Sequence, residues 1–521
     1  MLLKELIFLP KNKLNLLGSV GHKKFEAMSS EEYKNAVSRR KFLTSIGGLA
    51  AAAAIGWGLA GYFASTPRMV EKTTTVVETK TITQTQTITA GTTPTVTATA
   101  SPTVTVTTTP TPTITTTPTK KVTLTHWHPA HTDVHKVLDP AFMQKYPWIE
   151  VKAVDLAIGD LYDKLVASFA AGSGAPDLFA CLWRWYPTFV PKFVIDITDE
   201  VKDIKDAFYP FLWKQATHDG KIYGLPLWYC PHALWYRNDV FEKEGIDLQK
   251  EVETWDDFIE VGKLVTIPDK QYAFVICRAA YGTNHFLSIL NSRAGQLFDS
   301  NGKAYRNNEL AAEVLEWEYD LIHKHKIASH EVYFSSGFWA GIKEGRFLSW
   351  TMHSGAGPYN LIKSAPEQSG LWRGLAWPLW GKGKPKYTGV WGGGMEVITV
   401  QCKNVEEALI FLKECFSTDE ALWNWCQIKK FVAPNERLLK RQIEGPGLDY
   451  CGGQNIYRLF LEREAPPLNY APKWSEVETI VGKALDEIAI SARDPKEAWK
   501  DAEAALIKLL GESSESPPAG I

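Results

Sequence analysis

Val122-Thr123-Leu124-Thr125-His126-Trp127, then a helical stretch from Val134 to Tyr146, then Ile149-Glu150-Val151-Lys152-Ala153-Val154, is the passage that decides the fold class. Val122, Leu124 and His126 alternate with Thr123, Thr125 and Trp127, the period of a strand. Pro140 starts or kinks the helix that follows. A second strand comes directly after it. Strand–helix alternation of this kind predicts an α/β fold with mainly parallel sheets.

The alternation continues outward. Residues 160–171 place Leu161, Leu165 and Phe169 on one helical face. Thr254-Trp255-Asp256-Asp257 predicts a capped helix start, and Asn404-x-x-Glu407 predicts another, with Val405, Ala408, Leu409, Leu412 and Cys415 inward. Val477, Ile480, Val481, Ala484, Leu485 and Ile488 form one stripe, and Asp494-Pro495 opens a last helix with Trp499, Ala502, Leu506 and Leu509 inward. Residues 511–521 read as a disordered tail.

Upstream the chain changes character. Ser38-Arg39-Arg40-Lys41-Phe42-Leu43 precedes an uncharged run, residues 42–64, and resembles a twin-arginine export signal. That run would span about 34 Å as a helix, enough to cross a bilayer. Lys34, Arg39, Arg40 and Lys41 keep residues 1–41 cytoplasmic and put the rest of the chain outside. Residues 65–120 are rich in Thr and Pro, a composition that cannot bury a core. They read as a stalk holding a domain on the order of 100 Å from the membrane, which favours an uncleaved single-pass anchor at the cell membrane.

The 521 residues carry a net charge of −2, so no charge excess points to nucleic acid. The 20 tryptophans exceed what a core needs and suggest flat aromatic surfaces for a ligand. No G-x-x-x-x-G-K-[ST] loop, G-x-S-x-G elbow or H-E-x-x-H pair occurs. Gly392-Gly393-Gly394, without a following Lys, fits a close backbone approach or a hinge better than a phosphate cradle.

Several motifs together carry a family resemblance. They are Tyr162-x-Lys164-Leu165 with Ala175-Pro176-Asp177-Leu178; Asp219-Gly220-Lys221-Ile222-Tyr223-Gly224-Leu225-Pro226; Ala233-Leu234-Trp235-Tyr236-Arg237-Asn238-Asp239; Phe338-x-x-Gly341 with Gly345-Arg346-Phe347; and Gly393-Gly394-Met395-Glu396. In this order, over residues 121 to about 510, they resemble the family 1 extracellular solute-binding proteins, the maltose-binding-protein-like subunits of sugar ABC importers. The resemblance implies a two-lobed periplasmic-binding-protein-like fold with ligand between the lobes. It implies lobe I at 121–235 and 391–430, lobe II at 236–390 and 431–510, and crossings at Leu234–Arg237 and near Val390–Ile398. It further implies a monomeric ectodomain that closes on a carbohydrate and docks on a permease whose ATPase is a separate chain. The bacterial lipobox cysteine is missing after the apolar run, and the anchor would replace it as tether.

Flat aromatics cover the C–H face of a sugar, and polar side chains satisfy its hydroxyls, each costing about 1–3 kcal/mol if buried unpaired. In open α/β sheets ligands sit beyond the carboxyl ends of strands. The ligand candidates are therefore Trp127 and His128; Trp183, Arg184 and Trp185; Trp228 and Tyr229; Trp350, His353 and Ser354; and Trp391, Gly392 and Gly393. Trp255, Trp317, Trp423 and Trp499 read as core, and Asp177 as a structural cap. His126, His128, His131 and His135 raise the question of zinc. With His131 and His135 beyond Pro129, nothing in the sequence fixes the four around one point, so no metal and no cofactor are expected.

The expected function is capture, not catalysis: a carbohydrate, an oligosaccharide for preference, held by lobe closure for an ABC importer. The alternatives are an anchored glycan-degrading enzyme, a sensing receptor, or a binding protein for a peptide, polyamine or metal.

Overall fold

The structure is a computed structural model that describes residues 120–521. The proposed signal, anchor and most of the stalk lie outside the described residues. Among the described residues no helix is long and apolar enough to cross a membrane.

The opening passage folds as a βαβ unit. Strand β1 (Val122–His128), helix α1 (Thr132–Lys145) and strand β2 (Ile149–Asp155) follow one another, with β1 and β2 paired in parallel from Val122↔Ile149 to His128↔Asp155. Helix α2 (Ile158–Ala170) buries Leu161, Leu165 and Phe169 as its periodicity requires. Strand β3 (Leu178–Leu182) then joins the other edge of β1, also in parallel. Asp177 locks that pairing: its carboxylate accepts from the Thr125 backbone N–H and hydroxyl, both at 2.8 Å. It is the structural cap expected of it.

Strand β4 (Leu225–Arg237) is 13 residues long because it serves two sheets. Its first half pairs with β9 (Val390–Ile398), through Leu225↔Glu396, Trp228↔Gly394 and Tyr229↔Gly393. Its second half runs between β7 (Ser349–His353) and β8 (Trp372–Ala376). The handover falls at Pro231–His232, where Pro231 offers no N–H and His232 donates to the Gly389 carbonyl at 2.9 Å. Through β4 the two sheets join into one run of seven strands, β8-β4-β9-β3-β1-β2 with β7 also on β4. A separate parallel pair joins Phe274–Cys277 to Ala328–Glu331.

Helices cover these sheets. Helix α3 (Trp255–Val265) starts with the expected capping box: Thr254 Oγ1 accepts from Asp257 N, and the Asp257 carboxylate accepts from Thr254 N. Helix α4 (Ala279–Ser292) packs on β9, α5 (Ser336–Lys343) precedes β7, and α6 (Gly357–Ser364) follows it. Helix α7 (Val405–Ser417) begins where Asn404 indicated, but the Asn404 side chain makes no capping bond. Helix α8 (Asp419–Lys429) follows at once, and α9 (Trp474–Ile490) packs against α10 (Pro495–Leu510), whose Asp494 cap accepts from Lys496 and Glu497 N–H.

The tail departs from expectation. Residues 511–521 are tied down: Ala304 N donates to Gly511 O at 3.0 Å, Ser513 N to Ala304 O at 2.8 Å, and Ile521 N to Arg293 O at 3.1 Å. A polar sequence gave no hint of the backbone edge it pairs with. Of the four tryptophans read as core, Trp255 and Trp499 are buried, while Trp317 and Trp423 are half-buried. Trp423 instead carries the Arg441 guanidinium 3.7 Å from its ring centre.

Candidate functional site

A cavity of about 470 Å³ opens where β4 changes sheets. Its first wall comes from sheet ends: Pro129, Ala130 and His131 after β1, Arg184 after β3, Trp228 and Cys230 on β4, and Trp391 and Gly393 on β9. The opposite wall comes from helices and the turns before them: Tyr281 on α4, Phe334 and Trp339 around α5, His353 ending β7, and Tyr359 and Asn360 on α6. Lys429 and Phe431, from the end of α8, close one side. The size falls in the usual range for small-molecule sites, about 300–1,000 Å³.

Gly393 and Gly394 make the first wall possible. The Trp228 indole lies so close that a Cβ at Gly394 would overlap it, and a Cβ at Gly393 would meet the Trp228 carbonyl and sit 2.9 Å from Trp183. Gly392 has φ +92°, a backbone region closed to most L side chains, with the Tyr470 hydroxyl 2.5 Å from where its Cβ would be. The triple glycine is thus a packing surface for aromatic rings. Trp228 is further held parallel to Phe431, ring centres 5.7 Å apart.

Of the thirteen residues proposed from sequence, Arg184, Trp228, His353, Trp391 and Gly393 line the cavity. The rest do not, for reasons of side-chain direction. Trp183-Arg184-Trp185 forms a single 3₁₀ turn, in which successive side chains point about 120° apart. Arg184 enters the cavity, Trp183 packs on Gly393 and Trp185 turns to Tyr162. Tyr229 alternates away from Trp228 and meets Phe211. Trp350 is fully buried among Tyr333 and Phe338. Ser354 is buried, and Gly392 turns its backbone towards Tyr470. Trp127 points away from His126 and His128 and packs half-buried on the core.

The histidines correct an expectation. Pro129 and Ala130 (φ 53°) reverse the chain and bring α1 back over β1. His128 then stacks on His135 at 4.2 Å, His126 meets His135 at 4.8 Å, and His131 lies 5.7 Å from His128. The four rings therefore gather in one buried cluster, His131 at the cavity wall and the other three behind it. Stacked imidazole faces do not converge lone pairs, and among the described residues no group of three His, Cys, Asp or Glu is placed to hold a metal ion. Burial pushes His126 down to about 4 and His131 well below its usual value, and it pushes the Glu396 carboxyl up. His126 Nε2 and Glu396 Oε2 share a 2.8 Å hydrogen bond. At the cavity, His131 Nδ1 and His353 Nδ1 have no hydrogen-bond partner among the described residues. Burial also holds His353 down, at about 3, so both rings are neutral.

Sequence reasoning missed Tyr281, Phe334, Trp339, Tyr359, Lys429 and Phe431 as cavity residues. Trp339 lay inside a quoted motif, while the others carry no signal short of tertiary structure.

The model of the bacterial extracellular solute-binding protein family matches residues 129–421. The chain belongs to that family. It is 25% identical over 361 residues to an arabinooligosaccharide-binding protein of Halalkalibacterium halodurans, covering 64% of this chain and 76% of that one. It is 26% identical to the arabinooligosaccharide-binding protein of Bacillus subtilis (58% and 71% covered) and 24% identical to a lactose-binding protein of Rhizobium radiobacter (71% and 90%). Among solved structures, the binding protein of B. animalis subsp. lactis in complex with β-1,6-galactobiose superposes with TM-score 0.66 at 21% identity, over 76% of this chain and 100% of that one. The galacto-N-biose-/lacto-N-biose I-binding protein of Bifidobacterium longum gives 0.62 at 21%, over 76% and 100%. The fold is the two-lobed α/β fold of solute-binding proteins.

Proposed function

We propose that this extracellular solute-binding protein captures an oligosaccharide in the cavity at the β4 crossover and hands it to an ABC permease powered by a separate ATPase chain. The observation that carries the reading is the lining itself: three indoles, Trp228, Trp339 and Trp391, face a cavity that also presents hydrogen-bonding groups from Arg184, His353 and Asn360. Indole faces suit sugar C–H surfaces and the polar groups suit its hydroxyls. The curated relatives named for arabinooligosaccharide and lactose binding support the same class. Glycoside hydrolysis needs two carboxylates beside the scissile bond, and among the described residues lining the cavity none is Asp or Glu. Binding energy goes into closing the two lobes, a population shift.

The lobe boundaries at 121–235 with 391–430, and at 236–390 with 431–510, fit a β4 that serves both sheets. The twin-arginine signal, the apolar run 42–64 and the Thr/Pro tract support a single-pass anchor with a monomeric ectodomain on a stalk. Recovery of the protein from culture medium with its N-terminus near Gly61 would overturn the anchor.

The binding test is a tryptophan fluorescence titration of the full-length protein against mono- and oligosaccharides. A saturable change at micromolar ligand or below is expected for one sugar class. Silence across saccharides, with a response to peptides or polyamines, would overturn the reading.

A further inference from the structure

The cavity has an unbalanced charge. Arg184 and Lys429 both line it, each about 95% buried, and no carboxylate joins them among the described lining residues. Arg184 is paired from behind, its Nε 3.7 Å from Glu478 Oε1, so the cation left without a partner is Lys429. Lys429 Nζ donates to the Ala130 carbonyl at 2.7 Å and sits 3.7 Å from the centre of the Tyr359 ring, with no carboxylate in contact. The nearby Asp133 carboxylate is occupied by the Tyr359 hydroxyl and Lys363. A buried cation without a paired anion is costly, and a ligand anion that supplies the pair recovers that cost.

We propose that the saccharide taken here is acidic, a uronate-type sugar whose carboxylate pairs with the Lys429 ammonium. The inference rests on the saccharide reading above and narrows it. The half-buried Trp339 indole is left for a ring face, and the neutral His131 and His353 accept from hydroxyls. Burial holds the Lys429 ammonium down at about 8. It is faced by Asp133 and Asp155, by Lys363, by the imidazoles of His128, His131 and His353, and by the Tyr359 ring. A bound carboxylate favours the charged ammonium, so affinity for an acidic sugar falls as pH rises above 8.

The test titrates full-length protein with di- and trigalacturonate, with their methyl esters, and with neutral arabino- and galacto-oligosaccharides. The free acids should bind at least about tenfold more tightly than the esters, the scale of one hydrogen bond to a charged partner. Lys429→Met should remove most of that preference. The acid-to-ester ratio of the unmodified protein, followed from pH 7 to 9.5, reads the same interaction without any variant and should shrink with rising pH. Esters or neutral sugars binding as well as the acids, or a ratio constant with pH, would overturn the inference and leave the saccharide reading standing. No binding by any saccharide would overturn both.

Discussion

The two walls of the cavity are built on different principles. On the sheet wall, Trp228 and Trp391 are buried to 5% and 9% exposure; Trp228 is seated on Gly394 with His131 against its edge, and Trp391 packs on His232. On the helical wall, Tyr281, Phe334 and Trp339 are half-buried. Packing encloses the first set, whereas the second leaves part of each ring open. The walls should therefore respond differently to acid and to truncation.

The largest effect expected is acid loosening of the sheet wall. His126, at about 4, and His128 and His131, lower through burial, all lie below the unfolded value of about 6.5. Between those values the unfolded chain binds the extra protons, so their contribution is present above pH 6.5 and lost as pH falls towards 4. Glu396, raised by burial, acts in the opposite sense above about 4.5 and offsets one of the three. Each net proton costs about 1.4 kcal/mol per pH unit. Urea midpoints at pH 7.5, 6.5, 5.5 and 4.5 should drop steeply below 6.5, and His128→Phe should flatten the slope. A flat profile would mean that these rings are charged or solvated in the folded state.

Next in size is Trp228→Ala. Its ring fills space between Gly394, Phe431 and His131, and truncating such a buried aromatic costs about 3–5 kcal/mol. Stability and sugar response should fall together. Loss of binding without loss of stability would show that the sheet wall is not preformed.

How far the sequence disclosed this follows the range of each interaction. The βαβ unit, the Thr254 box and the Asp494 cap depend on neighbours a few residues apart, and they stand where periodicity put them. Strand ends located the cavity, since Arg184, His353 and Trp391 all lie at or near them. Alternation then decides which neighbour turns in, so Trp228 faces the cavity and Tyr229 does not. Lys429 and Tyr359 come from helix positions 70 residues apart in sequence and meet only through tertiary packing. The same holds for His135 under β1 and for the tail on Ala304, where no local pattern specifies the partner.

Trp339→Ala, on the helical wall, should spare the fold and weaken binding. An aromatic contact worth about 0.5–1.5 kcal/mol corresponds to at most about a tenfold loss of affinity, and the urea midpoint should stay close to that of the unmodified protein. A large stability loss would erase the distinction between the walls.

The smallest effect tests how the walls are held together. Asp133, at the start of α1 behind the sheet wall, accepts from the Tyr359 hydroxyl and from Lys363 Nζ, both on the helical wall. Burial pushes its carboxyl up, but the hydrogen bonds from Tyr359 and Lys363 outweigh that and hold it at about 2. Because that value is depressed, the contact is fully present above about 3.9 and is lost only as pH falls towards 2. Partial exposure of both partners limits its worth to about 1 kcal/mol or less. Asp133→Asn should therefore leave melting nearly unchanged while raising the ligand dissociation rate a few-fold at neutral pH, as read by stopped-flow fluorescence. A dissociation rate identical to that of the unmodified protein would mean that the aromatic faces and the ligand alone keep the cavity closed.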